Sequence, residues 1–453
     1  MKRITFYTFL LIYITACSSN DDLNNNPTSL DTELENLLSS NKYVVGKKNL
    51  VFPKSWDLAK IPQDPNNPIT KEKVELGKLL FHETAIARNP LKLESLKTYS
   101  CSSCHSQKAG YQAGIPQGMG EGGVGYGVKG ERRVKNKNYS DNEVDVQPVR
   151  SPSALNIAYQ TNILWNGQFG GTHLNVGTEA SWTKGTPKEK NFYGYQGVET
   201  QAIAGQDVHR LNISKTFLDE QPVYKELFKK AYPNMNLNDN LEIKINAGLA
   251  VAAYERTLLA TEAPFQLWLN GNYNALSEEQ KQGAILFFGK GECVNCHNGP
   301  SLAAMNFYAL GLNDLKNGSY GNNTVVAITD NKPEFLGRGG FTGNSKDNYK
   351  FKVPQLYNLK DSPFYGHGAS FTDIESIIRY KNEGIKQNIK VPISQLSPDF
   401  KPLNLTENEI KQISDFVKNG LYDSNLSRFE PSSLPSGLFF PNNDYLSRLD
   451  EGK

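Results

Sequence analysis

The chain has 453 residues, 49 Lys and Arg against 47 Asp and Glu, and a net charge of +2. Charges of both signs are interspersed without a long basic run, which excludes the electrostatic footprint of a nucleic-acid binder. Hydrophobic residues make up 38% and cysteines number five, so a sizeable core can form and a disulfide-stapled scaffold is excluded.

At the N-terminus, Lys2 and Arg3 precede an apolar stretch over residues 4–16. That stretch is too short to span a bilayer, which takes about 20 residues, so residues 1–16 read as an export signal. Ile14-Thr15-Ala16-Cys17 closes it. A small residue before cysteine matches the box at which bacterial lipoproteins are cut and acylated, which makes Cys17 the expected lipidation site. Acyl chains contribute roughly 0.8 kcal/mol per buried methylene. The mature chain is therefore expected to be an exported lipoprotein anchored in a membrane, facing the periplasm or the cell surface. Ser, Asn and Asp dominate residues 18 to about 41, and residues 17–48 are expected to form a flexible tether.

The first amphipathic stretch, Leu76-Gly77-Lys78-Leu79-Leu80-Phe81, precedes Cys101-Ser-Ser-Cys104-His105. A second, Gly283-Ala284-Ile285-Leu286-Phe287-Phe288, precedes Cys293-Val-Asn-Cys296-His297, with Ser277 and Gln280 placed as a helix cap. C-x-x-C-H is the attachment site of a c-type haem: the thiols add to two porphyrin vinyl groups and the histidine reaches the iron. A zinc site would place its cysteine pairs within about 20 residues of each other, whereas nearly two hundred separate these. Two covalent haems are thus expected, with Cys101, Cys104, Cys293 and Cys296 as attachment points and His105 and His297 as iron ligands.

Between the motifs, the glycine-rich residues 110–130 are expected to form a mobile loop beside the first haem. Residues 241–259 carry apolar side chains at helical spacing. The fold class expected is mainly α, with two c-type cytochrome-like domains, long loops and haems near the domain interface. The expected division runs from 17–48 (tether) through 49–240 and 241–430 (the two haem domains) to a C-terminal extension at 431–453.

Several segments in order around the two motifs resemble the bacterial di-haem cytochrome c peroxidase family, which includes relatives that oxidise protein tryptophans. They are Arg150-Ser-Pro-Ser-Ala-Leu-Asn156, Leu164-Trp165-Asn166-Gly167, Tyr254-Glu255-Arg256-Thr257-Leu258, and Val353-Pro354-Gln355-Leu356 with Tyr365-Gly366-His367-Gly368. The resemblance implies a peroxidatic first haem on His105 and an electron-transfer second haem on His297. Trp165 would be a relay between them, or otherwise a core tryptophan. It also implies hydrogen peroxide as substrate, a small cytochrome c or cupredoxin as electron donor, and a homodimer among possible assemblies. A di-haem oxidase acting on a protein, and a di-haem carrier or sensor, remain alternatives.

Three departures from the family pattern matter. Gln201 matches the pocket glutamine, but the glutamate expected about ten residues later is missing from Ala204-Gly205-Gln206-Asp207-Val208-His209-Arg210. A histidine titrating near neutrality can take and return a proton, so His209 is expected to fill that role with Gln201 and Gln206 orienting peroxide. The alternative is a structural histidine. No histidine lies between His105 and Arg150, so the first iron is expected to keep an open position unless Met119 or Tyr111 fills it. No methionine lies in Ile374-Glu-Ser-Ile-Ile-Arg-Tyr-Lys381, which puts Lys381 at the distal-ligand position of the second haem, Tyr380 beside it and Met305 as an outside candidate. Lys381 could instead be a solvated helix lysine. A calcium ion is implied too, though Arg150 stands where the family has an asparagine. His82 is expected to pack near the first haem and His367 near the second, and residues 169–198 to form a surface excursion.

Overall fold

The computed structural model describes residues 25–450 and Gly452; the export signal and Cys17 lie outside the described residues. The architecture is helical. The helices are α1 (Ser29–Ser40), α2 (Lys71–His82), α3 (Gly197–Val208), α4 (Lys215–Glu220), α5 (Pro222–Ala231) and α6 (Asn240–Arg256), then α7 (Pro264–Leu269), α8 (Glu278–Phe288), α9 (Arg338–Thr342), α10 (Ile374–Glu383), α11 (Glu407–Asp415) and α12 (Tyr445–Asp450). Strand structure among the described residues is confined to three two-stranded antiparallel ribbons, one of them pairing Phe307–Tyr308 with Phe351–Lys352. No described helix is long and apolar enough to cross a membrane.

Each lobe is built around a helix that leads into its C-x-x-C-H motif. Helix α2 starts at Thr70, whose side chain accepts from the Lys73 amide, and packs on α6. Gly77 lies at that crossing, where a Cβ would collide with the Ala250 carbonyl oxygen. Helix α8 starts in the capping box expected from Ser277 and Gln280. It crosses α11 in the same manner, with Gly283 against the Gln412 carbonyl. The repeat visible in the sequence is thus a repeat of close helix crossing, which only a residue without Cβ permits. Helix α6 is buried continuously from Ala247 to Arg256 and packs against both α2 and α3.

Three expectations are corrected. Residues 29–40, assigned to a tether, form α1 and dock on α8. The Ser/Asn-rich composition hides an apolar stripe in which Leu34 and Leu38 are fully buried. Asp31, also buried, accepts from Trp268 Nε1 at 2.7 Å and from Lys281 Nζ at 2.8 Å. The glycine-rich segment is also not a mobile loop. Most of residues 110–130 are buried, and the Arg133 guanidinium donates to the carbonyls of Met119 (2.6 Å), Gly120 (2.8 Å) and Gly125 (3.3 Å). Backbone amides of Gly125, Tyr126 and Gly127 donate to Asp444 and Asp450. Within the expected extension 431–453, the described residues 431–450 therefore serve as a brace of the first lobe. Finally, α6 falls in the second domain of the expected division, yet it is packed into the first lobe on α2 and α3. One apolar cluster runs through Leu76, Tyr254, Phe265 and Ile413 and joins both lobes.

Candidate functional site

The two C-x-x-C-H motifs adopt the same local form. Cys101–Ser103 and Cys293–Asn295 are each a turn of 3-10 helix, a tight geometry that presents both thiols and the following imidazole to one side. His105 Nδ1 lies 3.2 Å from the Tyr111 carbonyl and His297 Nδ1 lies 2.9 Å from the Leu302 carbonyl. Donation from Nδ1 leaves the Nε2 lone pair of each ring for a metal. Burial pushes both imidazoles down to about 4, so both stay neutral, as ligation requires.

Each motif opens on its own cavity, of about 370 Å³ for the first and about 270 Å³ for the second. The four described cysteines form no disulfide, which leaves each pair of sulfurs for thioether bonds. Burial pushes Cys101, Cys104 and Cys293 up to about 12, aided at Cys101 by Glu255 and at Cys104 by Asp145. The paired thiols, the neutral imidazole with one nitrogen free, and the enclosing cavity fit a c-type haem at each motif. Gly118 belongs to this cradle, since a Cβ there would lie 3.1 Å from Cys104 Sγ.

Of the side chains expected at the first haem, Gln201, Gln206 and His209 all line the first cavity with His105. All three come from the last turns of α3 and its cap. His209 Nδ1 sits 2.9 Å and 3.1 Å from the two Asp145 oxygens, which leaves Nε2 as its free nitrogen. Burial alone would lower the His209 pKa, but the Asp145 carboxylate more than reverses this and the pKa is raised. Gln206 donates to the Lys244 carbonyl at 2.9 Å, while its Oε1 is buried without a partner. Met119 and Tyr111 do not line this cavity; Met119 sits in a separate apolar cluster and the Tyr111 hydroxyl lies 3.4 Å from that of Tyr254.

Two groups in the first cavity were missed. Asp145 lies 64 residues from His209, in a segment with no local signal. Glu255, on α6, lines the cavity with one carboxyl oxygen buried and unpartnered. Burial, reinforced by Glu199 and opposed by Arg256, pushes its carboxyl up to about 8. A charged residue inside the apolar run of α6 was the available signal.

Trp165 lines both cavities, together with Arg150, Pro152 and Leu164. Its indole N–H donates to the Arg150 carbonyl at 2.8 Å. His367 lines the second cavity, stacks on Phe351 at 3.6 Å between centroids and lies 3.0 Å from an Asp314 oxygen. Lys381 also lines it. Burial lowers the Lys381 pKa against the opposing effect of the Cys293 and Cys296 thiols, an effect that thioether formation would remove. Its ammonium donates to the Asp399 carbonyl. The Tyr380 hydroxyl is engaged with the Leu310 carbonyl, and Met305 does not line the cavity. His82 is buried behind Phe81, off the cavity lining, with Nδ1 on the Lys78 carbonyl at 2.8 Å. In the 169–198 excursion, Trp182 packs edge-on to Phe192 at 5.0 Å, His173 bonds its neighbour Thr172, and Pro187 and Lys188 reach the rim of the first cavity.

Residues 71–274 match the sequence pattern of the di-haem cytochrome c peroxidases. Cytochrome-c peroxidase IdrP1 of Pseudomonas sp. (strain SCT) is 26% identical over 381 residues, covering 80% of this chain and 84% of the relative. Methylamine utilization protein MauG of Methylorubrum extorquens is 26% identical over 364 residues, covering 79% and 80%. Cytochrome c551 peroxidase of Nitrosomonas europaea is 26% identical over 320 residues, covering 70% and 75%. Among solved structures, a MauG-like protein associated with microbial copper homeostasis superposes with a TM-score of 0.55 at 21% identity, covering 82% of this chain and 96% of that one. The diheme peroxidase BthA from Burkholderia thailandensis gives 0.52 at 12% identity, covering 82% and 90%.

Proposed function

The chain belongs to the di-haem cytochrome c peroxidase family, and from that premise we propose that it reduces hydrogen peroxide to water at the cavity of His105 with electrons entering through the cavity of His297. The haems, when bound, supply the redox iron at which peroxide is reduced and a store for one of the two electrons. The observation that carries the assignment is an asymmetry: His209–Asp145, Gln201, Gln206 and Glu255 converge on the first cavity. The second cavity also carries a histidine–carboxylate pair, His367–Asp314, but no buried unpartnered carboxyl oxygen like that of Glu255 joins it.

The reaction consumes two protons and two electrons for each peroxide. Neutral His209 takes the proton from one peroxide oxygen and returns it to the other, which leaves as water. Asp145 holds the ring and stabilises its charged form. The unpartnered Gln206 oxygen accepts a hydrogen bond from peroxide, and Gln201 orients it from the same helix. Glu255, protonated below about pH 8, stores a proton inside the cavity. Trp165, shared by both cavities, is the path for the electron. No step uses a calcium ion: Arg150 satisfies four oxygen acceptors with a guanidinium, and no cluster of three acidic, histidine or cysteine side chains exists among the described residues. Export, acylation at Cys17, a small cytochrome c or cupredoxin as donor, and a homodimer complete the proposal.

The test is oxidation of a reduced small cytochrome or cupredoxin by peroxide. Turnover by the purified protein is expected; a peroxide-oxidised form that persists without donor turnover would favour an oxidase acting on protein, and no reaction a carrier. The resting spectrum is expected to contain a high-spin component from the first haem, and a purely low-spin spectrum would contradict the open site. Lys381 is proposed as distal ligand of the second haem after leaving the Asp399 carbonyl. Lys381→Met is then expected to raise the potential of that haem and change its low-spin spectrum, because thioether ligation favours the reduced iron. An unchanged spectrum would remove Lys381 from the iron.

A further inference from the structure

The second cavity is walled by two buried cations that no carboxylate answers. Arg150 is 2% exposed and Lys352 is 6% exposed, and both line this cavity. The Arg150 guanidinium donates to the carbonyls of Ile115 and Ala113, to Gln112 Oε1 (each 3.1 Å) and to Ser362 Oγ (2.7 Å). Every one of these acceptors is neutral. The Lys352 ammonium donates to Gln160 Oε1, leaving two of its three protons unassigned. Neither cation forms an ion pair among the described residues. Gln112 adds a third donor, because its Nε2 is buried without a partner and the side chain lines the same cavity.

A buried charge left without a counter-charge is costly, and proteins ordinarily pair it. Burial alone drives Lys352 down to about 7 and, opposed by Tyr365, Arg150 down to about 10, so an anion in this cavity would favour the charged form of both. The anion must reach a cavity that Cys293 and Cys296 also line.

We propose that Arg150, Lys352 and the Gln112 amide form a carboxylate-binding subsite that takes the propionates of the haem attached at Cys293 and Cys296. The proposal rests on the reading of this cavity as a c-type haem site. Porphyrin chemistry supplies the orientation: the vinyl groups that meet the thiols lie on the edge opposite the two propionates. With the vinyl edge fixed at the cysteines, the carboxylates would lie away from the thiols, and Arg150, which lines both cavities together with Trp165, would be among their donors. Arg150 thereby touches the haem edge with its guanidinium and holds the Trp165 indole with its carbonyl. A charge-assisted Arg–carboxylate hydrogen bond is short and directional, so the subsite also restrains the haem edge relative to Trp165.

The experiment is a spectroelectrochemical titration of the intact di-haem protein and its Arg150→Gln, Arg150→Lys and Lys352→Met variants, with haem content read from the mass of the denatured chain. Removing a cation beside the porphyrin favours the oxidised iron. The second haem is therefore expected to shift to lower potential in Arg150→Gln and Lys352→Met, with the first haem shifting less, and Arg150→Lys is expected to recover most of the wild-type value. Unchanged second-haem potentials in both charge-removing variants, with both haems attached, would overturn the proposal. A wild-type potential that moves with chloride concentration, and stops doing so in Arg150→Gln, would assign the subsite to a free small anion and also overturn it. If Arg150→Gln does not fold, Lys352→Met decides, since it loses one hydrogen bond to a neutral partner. A wild-type mass without haem at Cys293 and Cys296 would instead sink the underlying reading of the cavity.

Discussion

Replacing His209 by alanine is expected to lower the rate of peroxide reduction by about 10²–10⁴-fold, the usual contribution of a positioned acid–base group, while both haems stay attached. His209 lines the first cavity and contributes no thiol or iron ligand, so the loss should fall on turnover and not on pigment content. The pH dependence carries the sign. The net effect of burial and the Asp145 carboxylate is a raised His209 pKa, so the imidazolium persists above the ordinary histidine range. The basic form appears only as pH rises through that raised value, and kcat/KM should rise with it. Above about pH 8 Glu255 loses its stored proton, and the rate should fall again, giving a narrow bell. Asp145→Asn leaves burial unopposed, which moves the acid limb to lower pH. Near-normal turnover of His209→Ala in a stopped-flow assay would remove His209 from the mechanism and return it to a structural role.

What was legible in the sequence was chemistry with a fixed local spacing. C-x-x-C-H fixes two thiols and an imidazole within one turn, and nothing distant is needed to see it. The Ser277 cap and the α6 periodicity likewise depend on neighbours within a few residues, whereas the close crossings at Gly77 and Gly283 rest on Ala250 and Gln412 and were not legible. Gln201, Gln206 and His209 were read together through the resemblance, and the structure places all three on α3 and its cap, lining one cavity. Asp145 was not legible, because its meaning comes from a contact across 64 residues and its own surroundings look like any loop. Composition misled at α1, where Ser and Asn on the outward face masked Leu34, Leu38 and the buried Asp31–Lys281 pair. It misled at the glycine-rich segment for a related reason. Glycine signals conformational freedom, yet here backbone amides and carbonyls are tied down by Arg133, Asp444 and Asp450, which come from elsewhere in the chain.

Arg256→Met is expected to destabilise the protein by about 3–5 kcal/mol, the cost of stranding one member of a buried ion pair. Arg256 and Glu199 are both 0% exposed and meet in a two-pronged bridge, Nε to Oε1 at 2.8 Å and Nη2 to Oε2 at 2.7 Å. Arg256 also donates to the Pro62 carbonyl at 3.2 Å and to Gln196 Oε1 at 3.2 Å. With the Ala158 carbonyl at 3.4 Å as well, the substitution leaves a carboxylate and three further acceptors without their donor. The pair joins α6 to the first turn of α3, the helix that carries Gln201, Gln206 and the His209 cap. Losing it should loosen the pocket as well as the fold. Arg256 also opposes the upward shift of the neighbouring Glu255 carboxyl, so its removal should carry the alkaline limb of the rate profile to higher pH. The double variant Glu199→Leu/Arg256→Met removes both charges together and should recover most of the lost stability, because apolar replacement of a whole buried pair is often neutral or better. Urea denaturation of the two variants beside the wild type checks this. A single variant that loses less than about 1 kcal/mol would mean that the bridge is no stronger than a surface pair, and that packing alone sets α3 against α6.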